Sequence, residues 1–187
     1  GIAVKTPHKE VVKGMNIPRF DAEGRLIRMD IGDITIVNSY FPSGSSGDER
    51  QSVKMDYLED FYTYIHQLKQ EKPKVIVAGD YNICHQAIDI HDPVGNKNSS
   101  GFLPEEREWM TKYFNSGFID TFRYFHPEQK AEYSWWSFRA NARNNNKGWR
   151  IDYLAATKEL EPQLLEAKIF MDVKHSDHCP VYLKLKQ

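Results

Sequence analysis

Short apolar runs alternate along the chain with segments in which apolar residues recur every three or four positions. The first pattern predicts β-strands and the second predicts amphipathic helices, so together they favour a layered α/β fold. Strands are predicted at residues 2–5, 26–31, 34–40, 75–79, 133–138, 151–156, 167–171 and 181–185. Gly32 and Asp33 separate the second and third of these strands and predict a hairpin turn.

Two helices are predicted from spacing and from end signals. The apolar face of the first is expected to consist of Met55, Leu58, Phe61, Ile65 and Leu68. The second is expected to begin at Pro104, because proline suits the first helical position and acidic residues follow it. Gly117 is placed to end that helix.

The chain has 187 residues, a net charge of −1 and two cysteines. This length suits a single domain, residues 1–187, with a proper core. A nearly neutral chain does not attract a polyanion by bulk charge, so any nucleic-acid surface must be a local patch. Two cysteines indicate no disulfide framework and favour a reducing, cytoplasmic location. No apolar run reaches the roughly 18 residues of a membrane span, and no signal peptide is visible.

The stretch VIVAGDYN places polar side chains at the end of an apolar run. If the strand continued to Asn82, its amide would lie beside the carboxylate of Asp80, because residues two apart point the same way. A carboxylate can bind a hard cation or orient a water, and an amide can hold a substrate oxygen without adding charge. The alternative is a plain turn, since Gly-Asp and Asn are common turn residues.

A second polar group, SDHCP, precedes the last predicted strand and contains Asp177 and His178. Histidine titrates near neutrality and can serve as acid, base or ligand. Asp152 lies inside an apolar strand, where its carboxylate needs a partner such as Arg150, a backbone donor or His178. The alternatives are an ordinary surface histidine and a zinc site with one of the cysteines, although no second Cys or His stands at zinc-type spacing.

Residues 134–150 carry four basic side chains, three tryptophans, four asparagines and no acid. Cations can hold phosphates, and aromatic rings can stack on bases. The combination favours a phosphate-rich polymer as ligand, and the alternative is a solvated loop with core tryptophans. Tyr40 ends an apolar strand and, on the pattern alone, is typical of a core aromatic.

Five motifs stand in the order GDYN, GFLPEERE, DTFR, NARNNNKGWRIDY and SDHCP. Together they resemble the exonuclease III group of AP (abasic-site) endonucleases, within the endonuclease/exonuclease/phosphatase superfamily, over nearly the whole chain. GDYN and SDHCP mark only the superfamily, whereas GNKNSSGFLPEERE and the Asn-rich motif are typical of the DNA-repair branch. The resemblance implies a four-layered α/β sandwich of two packed, mainly antiparallel sheets flanked by helices. It also implies Mg²⁺- or Mn²⁺-dependent cleavage 5′ to abasic sites, with 3′→5′ exonuclease or 3′-end repair activity.

By matching position, the resemblance implies roles for individual residues. Asp80 would orient or deprotonate the attacking water, and Asp152 would steady His178 against the scissile phosphate. The implied catalytic residues are Tyr40, Asp80, Asn82, Asp152 and His178. The implied metal ligand is Asp177, with Asp80, Asn82 and His178 as further candidates. The implied DNA contacts are Asn96, Lys97, Trp135, Asn141, Arg143, Lys147, Trp149 and Ile151, of which the two tryptophans and the isoleucine would line the pocket for the flipped abasic sugar.

The resemblance also implies strands that come before residue 1 and carry an Asn and a metal-binding Glu without counterpart here. GIAVKT has no initiator Met and predicts a strand, so the chain is interpreted as lacking its N-terminal strands. Poor metal affinity and an exposed sheet edge are the expected consequences. Ser43 and Gly44 also depart from the family, which often carries an amide there.

Three functions compete on the sequence alone. The first is a DNA-repair nuclease acting on duplex DNA with abasic sites or 3′ ends, located at the nucleoid or in a nucleus, without an obligate protein partner or membrane. The second is a sister phosphoesterase, an inositide phosphatase or a sphingomyelinase, which would not need the Asn-rich basic loop. The third is a DNA-binding fragment without catalysis.

Overall fold

The computed structural model describes residues 1–186. The strands are β1 (Val11–Lys13), β2 (Leu26–Ile31), β3 (Ile34–Ser39), β4 (Val75–Asp80), β5 (Phe118–Asp120), β6 (Asp152–Thr157), β7 (Leu164–Ile169) and β8 (Val181–Leu185). The α-helices are α1 (Pro18–Asp21), α2 (Asp48–Glu71), α3 (Pro104–Asn115) and α4 (Thr121–Phe125), and 3₁₀ turns lie at Ala87–Asp89 and Lys158–Gln163.

A six-stranded sheet in the order β1-β2-β3-β4-β6-β5 forms the centre of the fold. Its β3 and β4 run parallel, and its other neighbouring strands are antiparallel. The strands β7 and β8 form a second, antiparallel sheet. The predicted hairpin is present, with Ile31 opposite Ile34 and Gly32 in the left-handed region at φ 64°. The predicted α/β class with two mainly antiparallel sheets is confirmed.

Each face of the six-stranded sheet packs on a different layer. On one face, Val37, Val77 and Ala155 contact the buried apolar residues of α2 and α3. On the other, Ile76 and Ala156 pack with residues of the β7-β8 sheet. Fully burying one such large aliphatic side chain stabilises a protein by about 1.5–3 kcal/mol. The helix–sheet–sheet layering therefore holds the central strands rigidly, and their ends are firm supports for a site.

The helix α2 follows its predicted face with one change. Leu58, Phe61 and Ile65 are buried as expected, but Met55 is only half-buried, and Lys54 is fully buried in its place. The helix α3 begins at Pro104 as predicted. Among residues 1–186, the model contains no helix that is both long enough and apolar enough to cross a lipid bilayer.

Two predicted strands are wrong. Residues 2–5 are irregular and mostly exposed, because no apolar surface of the described chain covers them. Residues 133–138 form a loop in which Trp135 makes isolated bridges to Trp149 and His178. Tyr133 and Trp136 fill one small cluster and Trp135 fills another, so the aromatic residues of this segment serve two clusters and not two faces of a sheet. The strand predicted at 167–171 lies a few residues earlier, as β7.

Candidate active site

Three neighbouring strands bring polar side chains into one row at the end of β4. Asp80 lies opposite Asp152 in the β4–β6 pair. On the other side, β3 is in register with β4 at Asn38 and Ala78, and two more residues in the same register place Tyr40 beside Asp80. Directly opposed residues of neighbouring strands project from the same face. The polar end of the apolar strand β4 is thus part of a common polar edge, to which β3 and β6 also contribute.

Gly79 allows the strands to approach at this edge. A Cβ atom on residue 79 would overlap the carbonyl oxygen of Ser39 on β3. The next backbone contact runs from the amide of Phe41 to the carbonyl of Asp80, at 2.9 Å. The lack of a side chain at residue 79 thus keeps β3 close enough to β4 for the row to form.

Asp152 and His178 form a hydrogen-bonded couple. The Asp152 Oδ2 and His178 Nδ1 atoms are 2.9 Å apart, which makes His178 the partner that the half-buried carboxylate needs. The backbone amide of Asp152 donates to the buried Ser134 Oγ, at 3.0 Å, and the His178 amide donates to Ser176 Oγ, at 3.2 Å. Burial acts to lower the pKa of His178, but the hydrogen bond and the charge of Asp152 outweigh it and raise that pKa.

Asn82 reaches Asp80 through a turn. The strand ends at Asp80, and Asn82 has a left-handed φ of 52°. Its backbone amide donates to Asp80 Oδ1 at 2.7 Å, and its Nδ2 donates to Asp80 Oδ2 at 3.2 Å and to the Phe41 carbonyl at 2.9 Å. The expected proximity is present, and of the two alternatives left open, a continuing strand and a turn, the structure has the turn. An asparagine in the left-handed region, which donates hydrogen bonds to the carboxylate two residues before it, explains the contact.

The charges of this edge are unbalanced. Ligand atoms of Asp80, Asp152 and His178 all lie within 4.8 Å of one another. Burial, followed by the charge of Asp152, raises the pKa of Asp80 to about 7. Two carboxylates held this close repel each other, and a divalent cation would relieve the repulsion. Carboxylate and amide oxygens are also the donors that Mg²⁺ prefers, so the residues present fit such an ion.

Asp177 lies beside this cluster and has other contacts. Its Oδ2 accepts from Trp135 Nε1 at 3.0 Å, and its Oδ1 accepts from Ser176 Oγ at 3.0 Å. Burial acts to raise its pKa, but these hydrogen bonds prevail and lower it. Asp177 is therefore an ionised group that orients Trp135, and its role as a metal ligand stays a prediction.

Two half-buried tryptophans, Trp135 and Trp149, form an apolar wall that adjoins the polar edge through the Trp135–Asp177 hydrogen bond. Trp135 and Trp149 meet edge to face with ring centroids 6.0 Å apart, and their backbones exchange two hydrogen bonds of 2.9 Å. Both pack on a buried cluster that contains Ile151 and Phe102. The structure thus brings together the three residues that were expected to line a sugar pocket.

The other predicted DNA contacts are divided between exposed and internally bonded residues. Lys97, Asn141 and Lys147 are exposed. The side chain of Asn96 donates within its own loop to the carbonyls of His91 and Asp92, at 3.1 and 2.9 Å. A nucleic acid can replace solvent at the exposed Lys97 and Lys147, whereas Asn141 already accepts from Asn144 Nδ2 through its Oδ1, at 2.7 Å.

Arg143 supports a loop from within. Its guanidinium donates to three backbone carbonyls, those of Met171, Val173 and Ser176, and stacks over Trp136 at 4.4 Å. These contacts hold the segment that leads to His178. The structure therefore places Arg143 with the loop that leads to His178 and not among the outward-facing basic side chains.

Sequence reasoning missed several residues that hold the site. Arg25 donates to the Tyr40 carbonyl at 3.1 Å and its guanidinium lies 5.2 Å from the Tyr40 ring centroid. Lys54 and Glu106 form a buried ion pair close to Asn82. Lys54 stands four residues before Leu58 in the apolar stripe of α2, which is the one signal in the sequence that could have revealed it.

The family model described as Endonuclease/Exonuclease/phosphatase family matches residues 5–178. The chain belongs to this family. A Bacillus subtilis protein named exodeoxyribonuclease is 42% identical over 93% of this chain and 69% of its own length. The DNA repair nuclease APEX1 of Danio rerio is 38% identical over 99% of this chain and 60% of its own length. The chain thus spans only part of the length of these relatives, and the family predicted from the motifs is confirmed.

Solved structures agree with this assignment. An AP endonuclease from Archaeoglobus fulgidus matches 97% of this chain and 72% of its own, with a TM-score of 0.89 and 28% identity. A 3′-5′ exonuclease from Neisseria meningitidis, at 21% identity, matches 98% of this chain and 73% of its own with a TM-score of 0.91, and shares the fold. The predicted fold class is confirmed by these neighbours as well as by the sheet topology.

Proposed function

We propose that this chain carries the active centre of a DNA-repair nuclease that hydrolyses the phosphodiester 5′ to abasic sites in duplex DNA. A 3′→5′ exonuclease or 3′-end repair activity at the same centre is part of the proposal. The observation that carries it is the Asp152–His178 couple facing Asp80 beside the two-tryptophan wall. The names of the relatives, an exodeoxyribonuclease and a DNA repair nuclease, support DNA as the substrate.

In the proposed reaction, water attacks phosphorus and its proton passes to Asp80. The bond from phosphorus to the 3′ oxygen of the preceding nucleotide breaks, and this oxygen leaves as a hydroxyl after it takes up a proton from solvent. Burial and the charge of Asp152 hold the pKa of Asp80 at about 7 in the metal-free protein, and a bound cation would lower it, so the carboxylate would be ionised and able to accept a proton near neutral pH. Asn82 fixes both oxygens of that carboxylate by two hydrogen bonds. The His178 ring nitrogen that does not face Asp152 donates to a phosphate oxygen, and the raised pKa of His178 favours the protonated ring. The Tyr40 hydroxyl, from the same row, donates to the phosphate at a second point.

Oxygen atoms of Asp80, Asn82 and Asp177 would hold Mg²⁺, or Mn²⁺ in its place. When bound, the ion neutralises charge that develops on the phosphate oxygens. We assign His178 to the phosphate and not to the ion, because its Nδ1 is already engaged by Asp152.

The wall formed by Trp135 and Trp149 explains how the protein selects a damaged site in DNA. Trp135, Trp149 and Ile151 offer an apolar wall to a sugar that has lost its base. Such a sugar leaves the helix at little cost, because it gives up no base stacking. Lys97, Asn141 and Lys147 contact backbone phosphates. Asn96 holds the loop of Lys97 through its bonds to the His91 and Asp92 carbonyls, and Arg143 acts indirectly by holding the loop that leads to His178.

The proposal is tested by single-turnover cleavage of two duplexes, one with an abasic site and one undamaged with a recessed 3′ end, each with and without Mg²⁺. We expect incision 5′ to the abasic site and 3′-end trimming, both dependent on Mg²⁺. Binding of duplex without cleavage of either substrate would contradict the proposal.

A second experiment separates this function from that of a sister phosphoesterase. Trp149→Ala is expected to slow abasic incision by about 10- to 100-fold, since one ring–nucleotide contact is worth about 1–3 kcal/mol. Phe170→Ala, an exposed aromatic on the other sheet, is the matched control and should leave incision unchanged. Full activity of Trp149→Ala together with hydrolysis of an inositide would favour the sister enzyme.

A third measurement addresses the exposed basic side chains. Lys147→Ala is expected to weaken duplex binding with little change in the single-turnover rate, and to reduce the slope of log affinity against log salt by about one. An unchanged salt slope would remove Lys147 from the DNA surface.

A further inference from the structure

One ion pair lies fully inside the protein, between α2 and the start of α3. Lys54 Nζ and Glu106 Oε1 are 2.5 Å apart, and both side chains are 0% exposed. Taking two charges out of water costs several kcal/mol per ion, and well-packed apolar residues in their place are often as stabilising or more so. Stability alone therefore does not account for a buried pair at a position where the apolar stripe of α2 would continue.

Lys54 reaches the proposed catalytic turn directly. Its Nζ donates to the backbone carbonyl of Asn82 at 2.8 Å. The carbonyl of Asn82 is thus bound by Lys54, while the amide and the side chain of the same residue bind Asp80. The hydrogen bond from Lys54 thus fixes the peptide that follows Asn82, and with it the direction of the Asn82 side chain.

Glu106 closes the neighbouring loop. Its Oε2 accepts from the amides of Gly101 and Leu103, at 2.7 and 2.9 Å. The carbonyl of Gly101 in turn accepts from the amide of Cys84, at 2.8 Å. Gly101 also lies against the Trp149 ring, which a Cβ atom there would contact. Glu106 therefore ties the end of loop 92–103 to the segment after Asn82 and to the pocket wall.

We propose that Lys54 and Glu106 are positioning residues that join the water-activating turn to the loop carrying Asn96. The inference rests on the proposed function, because it assigns the turn to water activation and the loop to phosphate binding. Through the pair, the loop, the turn and the pocket wall keep one geometry, so a phosphate bound by the loop stands at a fixed distance from Asp80. Neither residue touches the reacting atoms.

The main test is the double variant Lys54→Met/Glu106→Gln, in which the amide oxygen introduced at position 106 can still accept from the loop amides while the donor to Asn82 is lost. We expect a single-turnover rate lower by about 10- to 100-fold, the usual effect of a small misplacement at a distance from the chemistry. Duplex affinity should change less than the rate, and the thermal midpoint should stay near that of the wild type. Asp30→Asn is the control, because it disturbs another buried polar contact far from the site.

Two outcomes overturn the inference. One is a folded double variant with the wild-type rate, and the other is a rate loss no larger than that of Asp30→Asn at the same loss of thermal midpoint. If the double variant does not fold, the single variant Glu106→Gln is the test, because it removes the charge that pairs with Lys54 and keeps the shape of the side chain. A rate loss smaller than that expected for the double variant supports the inference, and a wild-type rate refutes it.

A separate readout distinguishes this inference from the proposed function. Mn²⁺ affinity, measured on the free protein by electron paramagnetic resonance, requires no DNA cleavage. If the wild type cuts neither duplex, the proposed function fails, and the pair is judged by the ion: weaker Mn²⁺ binding in the double variant than in Asp30→Asn supports positioning of Asn82, and equal binding refutes it.

Discussion

Two aspartates of the same sheet, Asp30 and Asp80, have opposite surroundings. Asp30 on β2 accepts from Thr35 Oγ1 at 2.8 Å and from Lys72 Nζ at 2.6 Å. Burial acts to raise its pKa, but these partners prevail and lower it. Asp80 on β4 faces a second carboxylate, Asp152, and burial together with that charge raises its pKa to about 7.

The difference shows that the partner of an aspartate decides whether the effect of burial on its pKa is offset, as at Asp30, or reinforced, as at Asp80. Asp30 has a cation and a hydroxyl, so its ionised form contributes to stability. Asp80 has an amide and a like charge, so its ionised form is strained and available to a proton or to a cation. Perturbed groups of this kind concentrate at functional sites.

Replacing Asp80 tests the strained member and should have the largest effect. Asp80→Asn removes the proton acceptor and is expected to slow single-turnover cleavage by about 10³- to 10⁴-fold. The thermal midpoint should rise, because the repulsion from Asp152 is gone. Asp33→Asn, an exposed aspartate in the hairpin turn, is the control. Unchanged turnover of Asp80→Asn would refute its assignment as the base.

Replacing Asp152 should have the next largest effect. Asp152→Asn leaves His178 without the carboxylate that orients and charges it, so we expect a rate lower by about 10²- to 10³-fold, measured under single-turnover conditions. Duplex affinity should stay within about threefold, since one phosphate contact is affected. A large loss of affinity at constant rate would show that the couple binds DNA and does not act in the reaction.

Replacing Asp30 should change stability and leave catalysis intact. Asp30→Asn loses the charge that Lys72 binds and is expected to lower the free energy of unfolding by about 1–2 kcal/mol. Urea denaturation measures the loss, and the cleavage assay should give the wild-type rate. If the cleavage rate of Asp30→Asn fell by more than its folded fraction, Asp30 would also act in catalysis, and the contrast with Asp80 would be wrong.

The smallest effect is the pH dependence of the Asp30 contribution. Because its folded pKa is lower than its unfolded pKa, the unfolded chain takes up the proton first as the pH falls. The contribution is present above about pH 4 and is lost as the pH falls through the folded pKa. The gap in urea midpoint between the wild type and Asp30→Asn should therefore close toward about pH 3. A gap that stays constant from about pH 3 to neutrality would contradict this account.

The sequence predicted much of the site through general rules. A carboxylate inside the apolar strand 152–157 needed a partner, and His178 was among the candidates although it lies 26 residues away. Motif resemblance predicted the remaining members of the row. The resemblance did not predict how Asn82 reaches Asp80, because the sequence GDYN is compatible with both a left-handed turn and a continuing strand.

The failures have physical causes too. Periodicity assigns a lysine to the solvent face, so the burial of Lys54 with Glu106 was not predicted and Met55 was given its place. The closely spaced aromatic residues at 133–138 fit a strand and also fit a loop that fills two clusters. The spacing of apolar residues along one helix does not show whether a distant residue such as Glu106 can pair with a buried lysine.

The contact of Gly79 with β3 limits how this chain can vary. No side chain fits between residue 79 and the Ser39 carbonyl, so even alanine would push apart the strands that carry Tyr40 and Asp80. In a library with all twenty residues at position 79, only glycine should survive selection for DNA repair, while position 33 in the hairpin turn tolerates most replacements. The spacing of two backbones therefore limits substitution at this edge as strictly as the chemistry of its side chains does.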